Sequence, residues 1–256
     1  MPEETCPVCG GTGWKTIERD GISGVEPCDC RFARRARSLT ERAQVPPLYK
    51  DASFDNFELP RDDRDPAYRE LATVMTAVRQ YTREFPFGKK QGLLLIGDPG
   101  TGKTHLAAAA LNTLIGRGFE GLFFDFNNLL DRIRSSYDSA SGQSDREAYR
   151  FALDTEILLL DDLGAHRVTD WMQDVVTSII TSRCNNKKPL IATTNLVDPA
   201  AGDSIVQRSA ALPGVEYRRT LADHIGERAR SRLFEMCTVL RIRAAPDYRL
   251  RRSHAF

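Results

Sequence analysis

The stretch Gly97-Asp98-Pro99-Gly100-Thr101-Gly102-Lys103-Thr104 has the residue types and spacing that most directly specify chemistry. Its form, G-x-x-x-x-G-K-[ST], belongs to loops that hold phosphate. Glycines let successive backbone N–H groups turn inward onto phosphate oxygens. Lys103 is placed to neutralise β- and γ-phosphates, and Thr104 to ligate Mg²⁺. The loop follows an apolar run, Gly92-Leu93-Leu94-Leu95-Ile96, and opens an Ala/Leu-rich stretch over 103–115. It therefore lies between a strand and the positive end of a helix. ATP with Mg²⁺ is the implied ligand. His105 follows the loop as a neighbour of the nucleotide, where packing or capping suits it better than catalysis.

Two further strand ends carry polar groups. Leu158-Leu159-Leu160-Asp161-Asp162 places two carboxylates at the edge of an apolar run, about 58 residues after Lys103. Open α/β sheets bind ligands at such carboxyl ends. Asp161 is the candidate for holding Mg²⁺, directly or through water, and Asp162 for polarising an attacking water. Alone, the pair equally suits the start of a turn. Ala192-Thr193-Thr194-Asn195 ends another strand, and its amide can orient water or touch the γ-phosphate. Asn195 can also simply begin a turn.

A third cluster is of a different kind. Four of the six cysteines lie between Cys6 and Cys30, as Cys6-x-x-Cys9 and Cys28-x-Cys30, 18 residues apart. Four thiolates supply the tetrahedral set that structural Zn²⁺ prefers. A segment of about 30 residues has too little core to fold unaided, and a metal supplies the missing stability. Reduced free thiols or a redox pair are the alternative. Arg31, Arg34, Arg35 and Arg37 follow. On a helix, three of them share a face that can meet phosphate, an acidic partner or only solvent.

These groups need a frame, and the chain's rhythm provides one. From residue 66, apolar runs alternate with amphipathic stretches. Strands are predicted at 92–96, 122–126, 157–160 and 190–194, and helices around 71–78, over 103–115, 129–137 and 169–183. The polar segment 137–145 reads as a flexible or pore-lining loop. Strands separated by helices imply an α/β three-layer sandwich with a mainly parallel sheet. The expected organisation is a zinc-binding module at 1–30, a basic helix and linker at 31–65, and an ATPase domain at 66–256. Cys184 and Cys237 are expected to be buried, and His166, His224 and His254 have no metal-like spacing.

Composition narrows the function classes. The chain has 256 residues and 36 Lys+Arg against 35 Asp+Glu, which excludes a uniformly basic protein. The distribution is uneven: residues 51–204 hold 17 basic and 23 acidic residues, and residues 205–256 hold 11 and 5. No apolar run approaches a membrane span of about 20 residues, and the acidic N-terminus is unlike a secretory signal. The expected location is cytoplasmic.

Taken together, the phosphate loop with Thr104-His105-Leu106, the strand end Leu159-Leu160-Asp161-Asp162-Leu163-Gly164, the turn Thr193-Thr194-Asn195-Leu196 and the segment Gly226-Glu227-Arg228-Ala229-Arg230-Ser231-Arg232-Leu233 resemble AAA+ ATPases of the DnaC/IstB-like helicase-loader group. Ser53-Phe54-Asp55-Asn56-Phe57 resembles the segment that precedes the ATPase core there. The resemblance covers roughly residues 45–243. It implies that Arg232 is an arginine finger reaching a neighbouring subunit's ATP, with Arg228 a second candidate. Without the family, both could lie on a solvated helix face. Only 24 residues follow Arg232, so little or no helical lid is expected, and no lid arginine is assigned. The implied function is an ATP-dependent replication accessory that binds a replicative DNA helicase and single-stranded DNA, self-associates through its ATP interface, and hydrolyses ATP slowly to release its partner. The cysteine cluster is expected to grip the helicase. The alternatives are an IstB-like transposition helper and, in another class, a zinc-based adaptor with nucleotide as a structural switch.

Overall fold

A computed structural model describes residues 5–19, 22–135, 144–165, 169–203, 206–208, 215–243, 245 and 247–249. His166, His254 and residues 137–143 of the expected loop lie outside them. The chain opens with an antiparallel hairpin, β1 (Trp14–Arg19) and β2 (Ile22–Pro27), which feeds α1 (Asp29–Arg42). After a polar segment come α2 (Pro66–Glu84), β3 (Gly92–Gly97), α3 (Lys103–Gly116), β4 (Gly121–Asp125), α4 (Phe126–Ser135), α5 (Ser144–Asp154) and β5 (Ile157–Asp161). Then follow α6 (Asp170–Asn185), β6 (Leu190–Thr194), a second hairpin of β7 (Val206–Arg208) and β8 (Val215–Tyr217), α7 (Leu221–Ile225), α8 (Glu227–Met236) and β9 (Cys237–Ile242).

The central sheet has five strands in the order β4-β5-β6-β3-β9, and every pairing is parallel. Strands β3, β4, β5 and β6 are buried nearly throughout, because helices cover both faces. Alternation along the strands sorts side chains into two cores. Leu93, Leu95, Phe123, Leu159 and Ile191 pack with α2 and α3. Leu94, Ile96, Phe124, Leu160 and Ala192 pack with α4 through α8. The layered α/β architecture expected from the sequence is therefore present.

Local signals explain most boundaries. Asp65 caps α2 by accepting from the Ala67 N–H, with Pro66 at the first helical position. Thr169 caps α6 through the Met172 N–H. Inside α2, Leu71, Val74 and Val78 are buried as their spacing requires, and in α6 so are Val175, Ile179 and Ile180. The expected strand at 122–126 ends one residue early, because Phe126 already begins α4. Ser144 starts α5, so the expected loop ends there. Cys237 is buried, whereas Cys184 is only partly covered. Among the described residues, no helix is long and apolar enough to cross a membrane.

Candidate nucleotide site and cysteine centre

The carboxyl ends of β3, β5 and β6 converge on one cleft of about 910 Å³. The loop 98–102 leaves β3 and turns into α3. Gly100 and Gly102 have φ of +73° and +88°, values that only glycine adopts without strain. A Cβ at Gly102 would also lie 2.6 Å from the Phe57 ring. Lys103 is buried at the start of α3, and its Nζ donates to the Asp98 carbonyl oxygen at 2.8 Å. Burial brings the Lys103 ammonium down to about 8, although Asp162, Asp161 and Asp98 pull it the other way.

At the β5 end, the Thr193 hydroxyl donates to Asp161 Oδ1 at 2.6 Å and accepts from the Asp162 N–H at 2.9 Å. Burial pushes the Asp161 carboxyl up, against hydrogen bonds from Thr193 and Thr104. Thr104 and Asp161 both line the cleft. A hydroxyl and a carboxylate side by side form a hard oxygen donor set that suits Mg²⁺. Asp162 adopts a left-handed φ of 57°, and Asn195 Nδ2 donates to its Oδ1 at 2.5 Å. The sequence placed Asp161 and Asp162 at one strand end and Asn195 at another, and the fold brings all three into one cleft with Lys103 and Thr104.

The upstream segment forms one wall. His105 Nε2 lies 3.0 Å from both the Ser53 carbonyl oxygen and Asn56 Oδ1, and its ring packs 5.5 Å from Phe57. His105 therefore ties residues 53–57 to the phosphate-loop helix, a packing role. Leu48, Tyr49 and Leu71 add apolar surface to the same wall.

Sequence reasoning missed the opposite wall. The Tyr248 N–H donates to the Gly100 carbonyl at 2.9 Å, so residues 247–249 lie against the phosphate loop. Arg249 lines the cleft and stands near enough for its charge to depress Lys103 further. Nothing in the local sequence signals this, because the contact is long-range.

The three arginines of α8 separate. Arg230 forms an ion pair with fully buried Asp198. Arg232 is bonded to Glu235 on its own helix at 2.5 Å. Arg228 is exposed. Neither Arg228 nor Arg232 lines this chain's own cleft.

The cysteine centre lies at the other end of the chain. The sulfurs of Cys6, Cys9, Cys28 and Cys30 all lie within 4.8 Å of one another. Cys6–Cys28 is 3.8 Å and Cys9–Cys30 is 3.3 Å, too long for disulfides of about 2.0 Å. A tetrahedron with metal–sulfur bonds of about 2.3 Å has edges of about 3.8 Å, so the set fits Zn²⁺. The thiol of Cys9 is held down at about 6: burial opposes this, but hydrogen bonds from Cys30, Gly13 and Gly11 outweigh it. Arg34 donates to the Gly11 carbonyl at 3.1 Å and to the Cys30 sulfur at 3.8 Å, while Arg31 covers the Trp14 ring at 4.9 Å. Two of the three arginines expected to share one face, Arg31 and Arg34, thus turn back onto the cysteine module.

Comparison with known proteins agrees with this geometry. The model for IstB-like ATP binding proteins matches residues 28–207. The chain belongs to that family. Within this IstB-like chain, 163 residues are 26% identical to the replicative helicase loader DnaC of Escherichia coli K12, covering 64% of the chain and 63% of the relative. The match thus spans less than two thirds of that loader's length. A crystal structure of the DnaC helicase loader superposes with a TM-score of 0.60 at 30% identity, over 77% of this chain and 99% of the other. AMPPCP-bound DnaA from Aquifex aeolicus shares the fold, with a TM-score of 0.55 at 19% identity over 80% of this chain and 53% of DnaA. The IstB-like chain is thus an ATP-binding protein with an AAA+ fold.

Proposed function

We propose that this chain is a DnaC-like loader of a replicative DNA helicase that hydrolyses ATP to release its partner. The observation that carries this reading is the likeness to the DnaC crystal structure, which extends over 99% of that chain. The cysteine module, whose Cys6 and Cys9 lie ahead of the family match at residues 28–207, supports the loader over the IstB-like transposition helper.

In this reading, Lys103 and the backbone N–H groups of 100–104 hold the β- and γ-phosphates. Thr104 and Asp161 would hold Mg²⁺, which would offset the charge of the phosphates. Asp162 polarises the attacking water, and Asn195 fixes the Asp162 carboxylate through their 2.5 Å hydrogen bond. Arg249 reaches the phosphates from the same chain. Arg232 acts in trans: it does not line its own cleft, and an ATP on a neighbouring subunit is its partner, with Arg228 a second candidate. Hydrolysis is then slow until subunits assemble. The zinc module, residues 1–30, docks on the helicase and is joined to the ATPase domain, 66–256, by the basic helix and linker at 31–65. Single-stranded DNA binds the assembled ATPase. The site of action is the cytoplasm.

The test is a pull-down with the host's replicative helicase, using wild type and Cys6→Ser/Cys9→Ser, beside ATP turnover by wild type, Lys103→Ala and Asp162→Asn. Helicase capture by wild type alone, with turnover lost in Lys103→Ala and Asp162→Asn, is expected. No capture by well-folded wild type overturns the loader assignment. Capture without turnover under any condition leaves the zinc adaptor instead.

A further inference from the structure

Polar contacts that begin at Lys103 continue beyond the phosphate loop. Lys103 Nζ bonds the Asp98 carbonyl, and the carboxylate of the same Asp98 accepts from Arg218 Nη2 at 2.6 Å. Arg218 is 120 residues away in sequence and directly follows β8. It is therefore the point at which the β7–β8 hairpin meets the nucleotide site. The family match ends at residue 207, so Arg218 lies beyond it.

The charge at Asp98 has the wrong sign for its place. A triphosphate held by Lys103 brings several negative charges close to this carboxylate. At a surface-like effective dielectric, one unit charge about 10 Å away weakens anion binding roughly tenfold. Arg218 cancels that charge at hydrogen-bonding distance. The pair adds little to folding, because Arg218 and Asp98 side chains are 36% and 57% exposed. Its effect falls on the ligand.

We propose that Arg218 is a positioning residue for ATP: it neutralises Asp98 and so makes the seating of the β7–β8 hairpin a condition for tight nucleotide binding. This rests on ATP binding at the cleft, and Lys103→Ala reports on that separately by abolishing binding.

The test is titration of the full chain with a fluorescent ATP analogue, for wild type, R218A, R218K and the double variant D98N/R218A, with a melting curve for each. R218A is expected to bind about tenfold more weakly with an unchanged melting temperature. R218K should keep most of the affinity, since it keeps the charge. D98N/R218A should recover it, since no carboxylate remains to be neutralised. Unchanged binding by R218A overturns the proposal. So does a double variant as weak as R218A, which would mean that the arginine only anchors the hairpin.

Discussion

Arg230 and Asp198 are joined by two hydrogen bonds, Nε to Oδ2 at 2.6 Å and Nη2 to Oδ1 at 2.8 Å, and the carboxylate is fully buried. Asp198 also accepts from the Ala200 N–H and lies three residues past Asn195. The pair therefore pins α8 to the segment leaving β6, where the site's amide is held. Removing the arginine leaves a buried carboxylate without its counter-charge, which costs about 3 kcal/mol or more. R230A should lower the urea midpoint accordingly, and an unchanged midpoint would show that the pair is dispensable to the fold.

Arg232, two residues on, should behave oppositely. Its bond to Glu235 is exposed, and pairs of this kind contribute less than about 1 kcal/mol. R232A is expected to keep the wild-type melting temperature while losing about a thousandfold in assembly-stimulated turnover, the usual scale of an arginine finger. Mixing R232A with a Lys103→Ala chain decides whether the arginine acts across subunits. Each variant lacks one half of the site, so restored turnover in the mixture requires contact in trans.

Lys103 makes ATP affinity depend on pH. Its ammonium is lowered to about 8 in the free protein, chiefly by burial, and bound phosphates raise it. Below pH 8 the lysine is charged before and after binding, so affinity is flat. Above pH 8 binding must take up a proton, and affinity falls by up to tenfold per pH unit. Calorimetry at pH 8.5 in two buffers of different ionisation enthalpy should report proton uptake. A constant affinity from pH 7 to 10 would contradict this.

The cysteine centre should carry about one zinc per chain. Cobalt substitution should give the charge-transfer absorption of a tetrathiolate, which Cys28→Ser should remove. A content below about 0.3 zinc per chain in gently purified protein would count against the site. Because the hairpin buries little of its own, its order should depend on the metal, while the five-stranded domain should melt as before.

A fully buried arginine provides a separate stability test. Arg183 donates to the carbonyl oxygens of Ala152, Thr155, Glu156 and Pro189, which ties the end of α5 to β5 and β6. Burial lowers its guanidinium to about 9. Arg183→Met strands these carbonyls and should destabilise the chain by about 3 kcal/mol in chemical unfolding.

The nucleotide site was legible in sequence because its parts obey short-range rules. Phosphate loops sit between a strand and a helix, and the acids and amide end apolar runs. Four of the five sheet strands announced themselves as apolar runs. The fifth, β9, did not, because α8 passes into it with no glycine or proline between Met236 and Cys237. The β1–β2 hairpin also gave no signal: β2 is exposed nearly throughout, and the half-buried positions of β1 are Ile17 and the charged Lys15, so no apolar alternation marks either strand. Arg249 and Arg218 were missed for a third reason. Their roles come from contacts made across the fold, and no local spacing encodes those.

The direct passage from α8 to β9 ties two functions together mechanically. Cys237 closes the helix and begins the strand, opposite Gly92 at the start of β3. The arm that carries Arg232 thus runs without a loop into β9, which is hydrogen-bonded along its length to β3, the strand that feeds the phosphate loop. In the proposed assembly, a push on the arm by an adjoining subunit would reach the strand beside the chain's own phosphate loop, and a row of such subunits would relay strain from end to end.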